Sequence, residues 1–130
     1  MIPALVREEQ PEANLLADLP ESLKKPFAVL SAMRELSRDE PAPEQDQAML
    51  TAAIASIESY RQRAAMDPGS GYYRAITPQR KEGILAFYEQ TALNMYNGFA
   101  KQMARYAETG AEQQKHLSAL FVQAQKTNPH

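Results

Sequence analysis

The chain has no cysteine and no tryptophan, and only two histidines and five glycines among its 130 residues. Without cysteine there is no disulfide scaffold, no thiol nucleophile, no iron–sulfur ligand and no cysteine-held zinc. No apolar run approaches the roughly 20 residues that cross a bilayer. The opening residues, Met1-Ile2-Pro3-Ala4-Leu5-Val6-Arg7, have neither a basic start nor a long apolar stretch, so no secretory signal is expected and a cytoplasmic setting is. A charge field of one sign is lacking too. Fourteen Lys and Arg face sixteen Asp and Glu, net −2. No overall basic surface exists for nonspecific nucleic-acid binding.

What the chain does have is helical period. Alanine occurs 21 times and glutamine 11 times. Both are good helix formers, and alternating strand patterns are absent. Six of the nine prolines lie before residue 44, which divides the first third into short segments. Residues 1–20 read as an N-terminal arm with two apolar clusters, expected to pack on the bundle in this chain or on a second copy. From Glu21 to about Arg38 a helix places Leu23, Phe27, Leu30, Met33 and Leu36 near one face. Pro26 either starts this helix or kinks it. After Asp39-Glu40-Pro41-Ala42-Pro43, a second helix runs to about Met66 with a seam of Leu50, Ile54, Ile57 and Tyr60. Its second stripe, Ala48, Ala52, Ala55 and Ser59, is all small. Packing within the chain is expected for it, with a dimer seam as the alternative.

Asp67-Pro68-Gly69-Ser70-Gly71 ends that helix. Thr77 then reads as a cap with Pro78 as the first helical residue. The third helix extends to about Glu108 and carries two adjoining seams. One holds Leu85, Tyr88, Ala92, Met95, Phe99 and Tyr106; the other holds Ala86, Leu93, Tyr96, Ala100, Met103 and Ala107. Gln90, Asn94, Asn97, Lys101, Arg105 and Glu108 form the polar stripe opposite. So wide an apolar arc predicts neighbours on two sides. Gly98, costly inside a helix, points to a close crossing there. Gly110 is expected to stop the helix in the left-handed conformation. A last helix, to about Lys126, buries Leu117, Leu120, Phe121 and Ala124, and residues 127–130 fray. The predicted fold is all-α: a four-helix bundle-like domain over 21–126, with a long central helix and an N-terminal arm.

Chemistry is harder to find. Glu112 and His116 share a helix face, but two ligands are too few for zinc. Gly69-Ser70-Gly71 lacks the remaining residues of a phosphate loop or a serine-hydrolase elbow. No carboxylate pair stands where its two pKa values would separate. The chain is therefore expected not to be an enzyme and to hold no cofactor or metal. One segment stands out. Residues 1–50 carry net −5 and residues 51–130 net +3, with the basic excess densest from Arg61 to Lys81. Within it Tyr72, Tyr73, Arg74, Arg80 and Lys81 combine the residue types of binding hot spots. Arg80 and Lys81 also fall in a first helical turn, where cations oppose the dipole.

The expected function is a non-enzymatic protein–protein interaction or assembly module, adaptor-like and bacterial in composition, with a protein partner bound through residues 72–81 and a homo-oligomer as a further option. Two alternatives stand beside it: a nucleic-acid-associated regulator using the same Arg/Tyr link, and a small-ligand binder with a pocket along the long helix.

Overall fold

A computed structural model of the chain describes residues 19–38, 43–69, 71 and 74–127. Among these, the chain forms four helices and no strand: α1 (Glu21–Leu36), α2 (Glu44–Ala64), α3 (Pro78–Thr109) and α4 (Glu112–Thr127). Each successive pair packs together, and α4 closes back onto α1. Asp46 meets Tyr106 at one end and Arg63 meets Tyr88 at the other, so α2 and α3 run antiparallel. The result is the four-helix bundle that the periodicity predicts. With 32 residues against 16, α3 is about 48 Å long and twice the length of α4.

The seams expected from spacing form the core. Leu23, Phe27, Leu30 and Met33 of α1 are buried, as are Leu50, Ile54, Ile57 and Tyr60 of α2. From α3 come Ala92, Phe99, Met103 and Tyr106, and from α4 Leu117, Leu120, Phe121 and Ala124. The α3–α4 junction is aromatic, with the Phe121 ring 5.7 Å from Phe99 and 6.2 Å from Tyr96. Helix α1 begins at Glu21, so Pro26 lies inside it and is buried. The missing N–H leaves the Ser22 carbonyl without its helical donor. Thr77 caps α3 as expected, its hydroxyl accepting from the Arg80 amide at 3.1 Å. The arm falls outside the described residues up to position 18; of its last two residues, Leu19 is buried in the core cluster with Leu23. Residues 128–130 also lie outside the described part.

Six expectations are corrected. Leu36, at the last turn of α1, is exposed. Ala86 and Ala107, at the two ends of the second seam of α3, are exposed as well. Met95 is 38% exposed, since it sits at the edge of its seam on the flank where α2 offers short side chains such as Ser56. Among the described residues the alanines of the small stripe of α2 form no seam, and only Ser59 is half-buried. Ala48, Ala52 and Ala55 are exposed, because they lie opposite the Leu50–Ile57 seam while α1 and α3 flank the helix. Gly98 marks no close crossing, since a Cβ built there meets nothing within 4 Å. Gly110 is extended, at φ −74 and ψ 163, rather than left-handed. Glycine is needed there for room. A Cβ would come within 2.7 Å of the Tyr106 carbonyl oxygen and 3.0 Å of Gln114 Cβ.

The glycines therefore divide by sign. Gly83 and Gly98 sit inside α3 with open space around them. Each change to Ala is expected to add about 0.5–1 kcal/mol of stability, the helix penalty of glycine. Gly110→Ala is expected to cost about 1–3 kcal/mol, as overpacking does. Urea unfolding of the three variants checks this. A destabilised Gly98→Ala beside a neutral Gly110→Ala would reverse the assignment.

Candidate functional site

The basic segment that stands out in the sequence resolves into two groups. Arg61 lies 4.9 Å over the Phe27 ring and Arg63 lies 5.1 Å over the Tyr88 ring. Lys81 is half-buried, and its Nζ donates to the Met66 carbonyl at 2.6 Å. The Lys81 charge opposes the dipole of its own helix but meets the C-terminal end of α2, where a cation is favoured. These three cations hold the bundle together. Arg74 and Arg80 differ. Both are exposed and form no ion pair among the described residues. Nor is there an acid in the first turn of α3. Tyr72 and Tyr73 lie outside the described residues.

Sequence reading missed Phe87, which is 66% exposed. It belongs to neither apolar seam of α3, and a large aromatic outside both seams was the available signal. Seven residues separate it from Arg80, two helical turns, so both stand on one flank. Ile84 lies between them, and Thr91 and Met95 continue the line. The Phe87 ring makes an edge contact with Tyr88 at 5.5 Å but is otherwise turned outward. This flank of α3 faces the α2 side, because Tyr88 next to it carries Arg63. Arg80 thus shares a flank with an exposed aromatic ring, whereas Lys81 is drawn away into the bundle.

A second feature was not foreseen. Asp46, in the first turn of α2, is 2% exposed and accepts from the Tyr106 hydroxyl at 2.5 Å. Gln102 and Gln114 act on the same hydroxyl in the opposite sense, lowering its pKa. This buried polar group joins α2 to α3 at the end away from Arg80. The hydroxyls of Tyr60, Tyr96 and Tyr106 are all pushed above the ordinary 10.0, by burial first in each case. Glu89 raises Tyr60 further and Asp46 raises Tyr106, while Gln125 pulls Tyr96 the other way. The folded chain therefore binds these protons more tightly than the unfolded chain. Their contribution is complete below pH 10 and is lost as pH climbs through the raised values. Urea midpoints taken from pH 8 upward are expected to stay flat and then fall above about 10. A midpoint that rose in the alkaline range would contradict this.

A cleft of about 320 Å³ opens between the end of α1 and α2, lined by Arg34, Ser37, Arg38, Gln47, Leu50 and Thr51. It lies off the long helix, away from the pocket position predicted for a ligand binder. Arg38 there is paired with Glu35 at 2.9 Å. Among the described residues no group of three His, Asp or Glu side chains is placed to hold a metal ion. Nor is any described helix long and apolar enough to cross a membrane.

Fold and surface together define an all-α four-helix bundle whose overlong third helix carries an exposed Arg/Phe flank. Comparison with protein-family models, with curated proteins and with solved structures gives no match.

Proposed function

We propose that the protein is a non-enzymatic interaction or assembly module, binding another protein through the start and outer flank of α3. Phe87 carries this reading. A bundle that buries Phe27, Phe99 and Phe121 leaves this one ring two-thirds exposed, on the same flank as the exposed Arg80 two turns earlier. Aromatic and arginine side chains dominate binding hot spots, and an exposed aromatic gives folding little in return. The partner is a protein of the same, cytoplasmic compartment or a second copy of the chain. Affinity capture from the source cells tests this, with Arg74→Glu and Arg80→Glu as comparison baits. Both variants are expected to lose the partner while stability stays within about 0.5 kcal/mol of the parent. Capture that is unchanged by either reversal would remove the segment from the interface.

A nucleic-acid reading has one observation in its favour: Arg74 and Arg80 stand at a helix N-terminus that holds no acid. It requires a salt-dependent shift with RNA or DNA that Arg80→Glu abolishes. The net charge of −2 speaks against it.

A further inference from the structure

Among the described residues, the outward face shared by α2 and α3 has no acidic residue. On α3 the flank runs from Arg80 through Phe87 and Met95 to Arg105, with Ile84, Thr91, Gly98 and Gln102 filling the helical turns between. The α2 flank turned to it holds Gln45, Met49, Ala52, Ser56, Ser59 and Arg63 at the same kind of spacing. Glu44, Asp46, Glu58, Glu82, Glu89 and Glu108, the acids of these two helices, all fall on other sides or in the core. Their exclusion is notable in a chain with more acids than bases. Arg80 and Arg105 are exposed and unpaired among the described residues. Between them, over about 37 Å of helix, this flank of α3 carries no charged side chain.

We infer that this face docks an acidic amphipathic helix, whose apolar side lies against Phe87 and Met95 and whose carboxylates meet Arg80 and Arg105. The inference rests on the interaction reading above and names the chemistry of the partner. Charge decides among occupants. A two-fold pairing of this face centred between the arginines sets Arg80 of one copy near Arg105 of the other, so a second copy meets like charge. A nucleic acid presents a phosphate every few ångströms of backbone. Exposed cations 25 residues apart on α3, with only the half-buried Arg63 of α2 between them, do not match that repeat. An acidic helix supplies charge at its ends and apolar area between, and the short Ala52 and Ser56 side chains leave room for it to lie close.

Panning a phage-displayed library of random helical peptides on the full chain tests this. The enriched peptides are expected to carry Asp or Glu flanking a large apolar residue. They are expected to bind Phe87→Asp about tenfold or more weakly. The double variant Arg80→Glu/Arg105→Glu is expected to switch enrichment toward Lys and Arg. All three positions are exposed, so circular dichroism and melting of the variants should match the parent; Phe87→Ala replaces Phe87→Asp if the charge disturbs the fold. Enriched peptides that are basic or neutral but still need Phe87 would overturn the acidic partner and leave the interaction surface standing. A library without a Phe87-dependent binder would overturn both.

Discussion

Replacing Phe99 by alanine is expected to remove about 3–5 kcal/mol of folding free energy, the range for a fully buried phenylalanine. The ring is 1% exposed and stands edge-on to Phe121 at 5.7 Å, midway along the bundle. Truncation loses the transfer energy of the ring, leaves a cavity between α3 and α4, and removes an aromatic pair worth about 0.5–1.5 kcal/mol. The backbone of α3 cannot close that space, since the helix is held by α2 along its other side. A domain of this size is stable by about 5–15 kcal/mol in total. The variant should therefore melt far below the parent in a urea or thermal titration. A melting temperature close to the parent's would mean that Phe99 is not the hinge of the core. Gly98→Ala, one residue earlier, is expected to move stability the opposite way, so adjacent positions report opposite environments.

Tyr106→Phe is the second large effect. It keeps the ring, which is packed in the core, and removes only the donor to Asp46. The carboxylate is 2% exposed and cannot turn to water. Losing a hydrogen bond to a buried charged group costs about 1.5–3 kcal/mol, well above a neutral surface bond. The first turn of α2 offsets part of the burden on Asp46, because a helix N-terminus favours negative charge. Asp46→Asn in the Tyr106→Phe background completes a double-mutant cycle, and the two changes are expected to couple rather than add. Additive effects would show that the carboxylate is satisfied without the tyrosine.

Most of the bundle is legible in the sequence because helical period and punctuation act locally. Thr77-Pro78 opens α3 and Gly110 closes it within a residue of the predicted ends. Leu50, Ile54 and Ile57 face the core for the reason their spacing gives. What sequence could not decide depends on neighbours. The Ala48–Ala55 stripe reads as a seam, within the chain or between copies, and only the positions of α1 and α3 show its alanines exposed. Gly110 reads as a left-handed stop, whereas the requirement comes from the close Tyr106 backbone. Nothing in the spacing singles out Asp46, since its burial comes with a tyrosine 60 residues later. The candidate site was half legible. Arg74 and Arg80 are exposed as a working surface requires, while Lys81 is drawn to the end of α2. Phe87 was overlooked because attention to apolar seams passes over an aromatic that belongs to none.

Phe87→Asp tests the central claim most directly, with thermal unfolding and affinity capture from the source cells run on the same protein. The account predicts a melting temperature close to the parent's, since an exposed position shifts stability by about 0.5 kcal/mol or less. It also predicts loss of the partner that the parent retains. A variant that keeps the partner in full, or one that unfolds as Phe99→Ala does, would contradict the assignment of this flank as the working surface.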